Sequence, residues 1–363
     1  MRLLFAALLL VLSACPPPPP VARPTPPTAP QRPIDAPTLT PLRVATAADL
    51  PDALVPGSYR LHLIDVGTGL AVLIQGVDFT LLYDAGSNDR IEKPSRVIAY
   101  LAAVLGPSGD DDLCGESAPK KRIDHVVLSH PHFDHASALD TVLHCYEVTN
   151  YWDSGKTAKT KFYLELLDAL VRTPLTYHTA ADEPQAPIPS WKRYSEGDTV
   201  QLGEGARFTI LHANPRASDE NEASLVLSVQ LGRTRVLLVG DAESGGRKDP
   251  SYPAGEVEEY LIDHHRDQIR SDILQVGHHG SMTSSRHDFI EAVKPAYALV
   301  STGPKTYSKT KLPDQVVLDE LARSGATILR TDERDGKCPV TNRIGGNDEG
   351  PGGCDTWVIT IGP

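Results

Sequence analysis

The sequence predicts an α/β fold of two stacked β-sheets covered by helices. Three observations carry that prediction. Apolar runs of strand length alternate with segments of helical period from Tyr59 onward, the rhythm occurs twice, and glycine punctuates the runs. Each half opens with hairpin-like strands and continues into strand–helix units, the order that stacks sheets beneath helices. No short tandem repeat of the solenoid kind is present.

The chain begins outside that fold. "MRLLFAALLLVLSAC" places a basic Arg2 before a short apolar run and small residues before Cys15, the layout of a secretory signal. Leu12-Ser13-Ala14-Cys15 resembles the lipobox of bacterial lipoproteins, which predicts lipidation at Cys15, a membrane anchor and a cell-envelope location. The apolar run is too short to span a bilayer. Residues 16–58 begin with a run of prolines and read as a stiff extended tether, because proline removes backbone donors and favours polyproline II. Residues 59–363 are the expected folded domain.

Within it "YRLHLIDVG", "GLAVLIQG" and "DFTLLYDAG" read as strands, "SRVIAYLAAVLG" as a helix and "IDHVVLSH" as a buried strand. "ASALDTVLHCY" and "KFYLELLDALV" read as helices around the strand "EVTNYW". The second half gives strands "RFTILH", "SLVLSVQLG" and "TRVLLVGD", then the helix "EVEEYLIDHH". Strand "DILQVGHHG", helix "RHDFIEAVK", strand "AYALVS", helix "PDQVVLDELARSG" and strand "ATILRTD" follow. Past Cys15 four cysteines remain, an even number in an exported chain. Disulfides Cys114–Cys145 and Cys338–Cys354 are expected, the second closing a loop before a last strand. No close Cys-x-x-Cys pair points to a zinc site.

Composition narrows the function. With 40% hydrophobic and 23% charged residues the 363-residue chain is globular, and a net charge of −12 argues against a broadly basic surface for nucleic acid. Chemistry concentrates in "LSHPHFDHASAL". His130, His132, Asp134 and His135 follow the end of a buried strand, and imidazole with carboxylate suits borderline divalent ions. Alternation turns His130 and His132 toward one ion and Asp134 and His135 toward another. Further ligands are expected from distant strand ends: Asp241 in "VGDAE", and His278 and His279 in "VGHHGS".

This constellation resembles the metallo-β-lactamase fold superfamily, and within it the extracytoplasmic domain of ComEC-type competence proteins and their stand-alone relatives. The resemblance is carried by "LHLIDVGTGLAVLI", "LLYDAG", "SHPHFDH", "NEASLVLSVQLGRTRVLLVGDAE", "LQVGHHGSMTSSRHDFIEAVKPAYALVSTG" and "LRTDE", in family order. It implies an αββα four-layer sandwich and two divalent ions, zinc or manganese. His130 and His132 are then implied as ligands of the first ion and Asp134, His135 and one of the adjacent pair His278 and His279 of the second; spacing does not choose between the pair, and His278 is favoured as nearer the strand. Asp241 bridges, and Asp134 and Asp241 are the catalytic carboxylates. His279 is implied as an outer-sphere or substrate contact, and Asp84 and Asp65 as carboxylates that orient the site.

Three departures bear on the substrate. Asn221 stands where many relatives supply a histidine to the first ion, with His212 as a weaker substitute; Leu70 replaces a polar residue after "DVGTG"; and "PKTYSKTKLP" lacks an expected histidine. Two ions sharing Asp241 are expected to lower the pKa of a bridging water and supply hydroxide. "HHGSMTSS" lacks a nucleophile elbow, so its serines read as helix caps. The leading expectation is a phosphodiesterase or nuclease, with Lys156, Lys159, Lys305 and Lys309 rimming the cleft toward phosphate. The alternatives are a hydrolase of lactones, β-lactams or cell-wall phosphoesters on the same fold, and a non-catalytic surface lipoprotein.

Overall fold

The computed structural model describes residues 37–89, 94–307, 309–336, 338, 340, 342–345 and 352–363. Cys15 and the expected signal lie outside them. The described residues build two large sheets. The nine-stranded sheet runs in spatial order Leu39–Val44, Thr356–Ile361, Tyr59–Leu63, Val72–Gln75, Thr80–Tyr83, Arg122–Leu128, Glu147–Asp153, Thr176–Thr179 and Trp191–Arg193. The seven-stranded sheet runs Thr327–Arg330, Tyr297–Val300, Ile273–Gln275, Thr234–Leu238, Val226–Leu231, Ala206–His212 and Thr199–Gly203.

Strand period two explains the layering, because both faces of the central strands are apolar. Leu61, Leu63, Val72, Ile74, Leu81 and Tyr83 turn inward to meet Phe208, Ile210, Leu227, Val229, Val236 and Leu238 of the other sheet. Their neighbours Leu73, Leu82, Val126 and Leu128 face helices Arg96–Leu105, Leu139–Cys145 and Lys161–Arg172. On the far side Leu237, Leu274, Ala298 and Val300 pack beneath Glu256–Ile269, His287–Val293 and Gln315–Arg323. The result is the αββα sandwich expected from sequence.

Two corrections concern local structure. Leu39–Val44 falls inside the stretch expected as tether, yet it pairs with Thr356–Ile361 as an edge strand. Pro41 masked it: proline reads as a strand breaker, and only an edge position tolerates its missing donor. The serines of "GSMTSS" do not cap helix His287–Val293, whose N-cap is Arg286. Ser284 instead donates to Gly277 O (2.8 Å), tying the turn to the preceding loop. Both expected disulfides are present, Cys114–Cys145 and Cys338–Cys354, with Cα separations of 5.5 and 5.7 Å.

Candidate metal centre

Four strands deliver the site from their C-terminal ends. Parallel pairing of Thr80–Tyr83 with Arg122–Leu128 sets Asp84 beside Ser129 and His130. In the second sheet, parallel pairing of Thr234–Leu238 with Ile273–Gln275 sets the loop of Asp241 beside that of His278 and His279. Two triads result: His130, His132 and Asp241, and Asp134, His135 and His279, each with ligand atoms within 4.8 Å of one another.

Buried hydrogen bonds fix which ring nitrogens face the centre. Asp84 accepts from Ser129 N (2.7 Å), Ser129 Oγ (2.7 Å) and His135 Nδ1 (2.8 Å). The Ser129 hydroxyl has one proton and gives it to the carboxylate, so it accepts from His130 Nδ1 at 2.9 Å. His279 Nδ1 donates to Ser301 O at 2.8 Å. In all three rings Nε2 is therefore left to the cluster. His130 Nε2 lies 3.0 Å from His132 Nδ1 and 3.8 Å from Asp241 Oδ2, and His135 Nε2 lies 3.2 Å from Asp241 Oδ1. His279 Nε2 is 3.6 Å from both Asp134 Oδ2 and Asp241 Oδ2.

Three of these atoms, His135 Nε2, His279 Nε2 and Asp241 Oδ1, are buried without a hydrogen-bond partner. Unsatisfied buried polar atoms are costly, and three that converge on one point fit a site for divalent ions. Ionisation follows the same crowding. Burial holds His130 well below the usual imidazole range, aided by the charge of His135. For His135 burial acts downward, but Asp241 and Asp84 overcome it and push the ring well up. Burial alone would raise Asp241; His135, His279 and His278 hold it well below the carboxylate range.

Of the adjacent histidines, His279 stands in the second triad and His278 beside it. His278 turns Nδ1 to Glu243 Oε1 (2.5 Å) and Thr283 Oγ1 (2.7 Å), and its Nε2 stays 3.9 Å from Asp241. Both residues are left-handed, with φ of 45° and 53°, and that turn inverts which side chain points inward. Asp65 accepts from Gly67 N and Asp355 N, bracing the approach to the last strand. His212 is bonded to Ser224 O and packs on Tyr260, and it belongs to neither triad. Asn221 donates to Glu243 Oε1 at 3.2 Å while its buried Oδ1 has no partner. Leu70 joins the core between the sheets.

Sequence reasoning missed several contributors. Ser129 directly precedes His130, but a serine there carries no distinctive signal. Gln275 accepts from the amides of Val239 and Gly240 (2.8 Å each) and shapes the Asp241 loop. Tyr307 donates to Asp134 Oδ2 at 2.9 Å from the small hairpin Thr306–Tyr307 and Thr310–Lys311. Of the lysines, Lys156 spends its ammonium on Ala217 O (2.6 Å), whereas Lys305 lies over the Tyr307 ring at 5.1 Å and Lys309 is exposed. A groove of about 620 Å³ on the outer helices, lined by Tyr146 and His144, contains no residue of the two triads.

Two stacked sheets whose strand ends meet at a buried His/Asp cluster form an αββα sandwich with a candidate metal site. Residues 64–303 match the model of the metallo-beta-lactamase superfamily, and the chain belongs to that superfamily. It is similar to "Competence protein ComA" of Neisseria gonorrhoeae, 28% identical over 284 residues, covering 78% of this chain and 32% of that protein. It is also similar to "ComE operon protein 3" of Bacillus subtilis, 28% identical over 215 residues, 59% of this chain and 24% of that protein. The chain thus spans a third or less of the length of these relatives. Among solved structures, the metallo-beta-lactamase fold protein YhfI from Bacillus subtilis aligns with a TM-score of 0.43 at 12% identity, covering 75% of this chain and 96% of that one. No described helix is long and apolar enough to cross a membrane.

Proposed function

We propose that this chain is a metal-dependent phosphodiesterase or nuclease of the cell envelope. The carrying observation is the set of unpartnered ligand atoms, His135 Nε2, His279 Nε2 and Asp241 Oδ1, turned toward one another in a buried cluster. In this reading His130 and His132 hold one ion, Asp134, His135 and His279 hold a second, and Asp241 serves both. Zinc and manganese both suit the nitrogen–oxygen donor set. Such ions supply Lewis acidity and lower the pKa of a water. The chain's own residues keep the ligands in place: Asp84 and Ser129 hold His130 and His135, and Ser301 holds His279.

Exposed Lys305 and Lys309 stand on the hairpin that reaches Asp134 through Tyr307, a local cationic edge on an acidic protein. Similarity to competence proteins points the same way, toward nucleic acid. The tether and a lipid anchor on Cys15 complete the reading by fixing the domain to a membrane.

The test is hydrolysis by the metal-loaded chain across phosphodiesters, phosphomonoesters, lactones and β-lactams. Cleavage of phosphodiesters is expected. Lys305→Ala is expected to weaken substrate binding and reduce its salt slope by about one. A metal-loaded chain that opens only lactones or β-lactams refutes the substrate. For the anchor, Cys15→Ser is expected to move the protein from the membrane to the soluble fraction; unchanged fractionation refutes it.

A further inference from the structure

We propose that Tyr307 is a positioning residue for Asp134 and that, held by Asn88, it sets the affinity of the second ion site while leaving the first alone. The inference rests on the metal reading above. Asp134 is the one carboxylate of the second triad, and its hold on an ion would depend on its orientation. Tyr307 Oη donates to Asp134 Oδ2 at 2.9 Å, the same oxygen that lies 3.6 Å from His279 Nε2. Asn88 Nδ2 donates to Tyr307 Oη at 3.0 Å, which directs the phenol proton toward the carboxylate.

The surrounding backbone makes this contact a fixed one. One loop, residues 67–70, grips both partners. Leu70 N donates to Asp134 O (3.0 Å), and Thr68 O accepts from Asn88 N (2.6 Å). Thr68 Oγ1 accepts from Lys305 N (3.1 Å), and Gly69 O accepts from Ser301 Oγ (2.7 Å). The approach is so close that a Cβ on Gly69 would sit 2.7 Å from Asp134 O, and one on Gly303 would sit 2.2 Å from Thr68 N. Asp134 and the segment leading into the hairpin of Tyr307 are thus both docked on one loop, and the phenol closes the circuit at the carboxylate oxygen. Among the described residues no hydrogen bond runs from Tyr307 to His130 or His132, so its direct hold is on the second site.

The experiment titrates manganese(II) into the metal-stripped full-length chain by calorimetry. The wild type is expected to bind two ions. Tyr307→Phe keeps the ring beneath Lys305 and is expected to weaken one ion about tenfold, the cost of losing an outer-sphere partner, with the other unchanged. Asn88→Ala is expected to weaken the same ion by less, and it keeps the test alive should Tyr307→Phe not fold. In a His279→Asn background, which removes the second site, Tyr307→Phe should change nothing more; in a His132→Asn background its effect should persist. Unchanged affinities in Tyr307→Phe, equal weakening of both ions, or an effect that survives His279→Asn overturns the proposal. A wild type that binds no ion overturns this proposal and the metal reading together. Two ions with Tyr307-dependent affinity but no phosphodiester cleavage leaves the proposal standing and removes only the substrate assignment.

Discussion

The two sheets supply the same centre by different means. From the nine-stranded sheet come four candidate ligands packed into residues 130–135, and two of them, His130 and His135, are braced side chain to side chain by the buried carboxylate of Asp84 and the hydroxyl of Ser129. From the seven-stranded sheet come Asp241 and His279, braced through backbone: Ser224 Oγ on Asp241 N, Ser301 O on His279, and Glu258 on the amides of Ser285 and Arg286. The first half places ligands by residue type, the second by chain path. Substitutions in the two halves should therefore fail in different ways.

The largest effect is expected where the halves meet. Asp241 lies 3.8 Å from His130, 3.2 Å from His135 and 3.6 Å from His279, so it stands between the two triads. Asp241→Ala is expected to reduce turnover to background and to lower bound metal below two ions per chain, with the far-ultraviolet dichroism unchanged. A variant that retains two ions and measurable turnover would dissolve the idea of a shared ligand.

The same contrast decides how much was legible beforehand. Period-two apolar runs announced the central strands, and "HPHFDH" announced the first-sheet part of the cluster, because each depends on residue type in a short window. Leu39–Val44 was hidden by Pro41, and Thr176–Thr179 and Trp191–Arg193 are short strands near an edge, with weak alternation. The inward histidine of the adjacent pair was hidden for another reason: composition is silent on the sign of φ, and φ at His278 and His279 decides the outcome. Tyr307 and Asn88 were invisible because their partnership spans 219 residues.

Next in size is a pH effect confined to the first half. Asp153 ends the strand beside that of His130, and burial pushes its carboxyl up from 3.8 to about 6, with Tyr177 (2.8 and 3.0 Å) and Gly155 N acting the other way. The folded chain then holds a proton that the unfolded chain has lost between those values. Stability from this group is present below pH 3.8 and is lost as pH rises through about 6. The shift of roughly two units corresponds to at most about 3 kcal/mol. Denaturant unfolding of wild type and Asp153→Asn at several pH values checks it: the difference between them should swing toward the variant as pH rises. A difference constant from pH 4 to 7 would refute it.

Asp84→Asn probes the bracing of the ligands themselves. Asp84 sits at φ 57°, a conformation asparagine tolerates, so the backbone should survive the change. An amide accepts with one oxygen only, and either His135 Nδ1 or Ser129 must lose its partner. Metal affinity is expected to fall 10- to 100-fold with little change in melting temperature. If affinity holds, the first half is not set by side-chain bracing and the contrast between the sheets collapses.

The smallest effect, that of His278, is most discriminating when set against its neighbour. His278→Asn and His279→Asn both place a residue that accepts left-handed backbone, so chain path is preserved in each and only the side chain differs. His279 presents an unpartnered Nε2 to Asp134 and Asp241, and its loss should remove one ion from the chain. His278 is tied through Nδ1 to Glu243 and Thr283, and its loss should leave both ions bound, with affinity changed by less than about tenfold. Metal content per chain after dialysis separates the two. Loss of an ion from His278→Asn and not from His279→Asn would mean that the turn adopts the opposite orientation when loaded. It would also show that chain path does not select the second-sheet ligand.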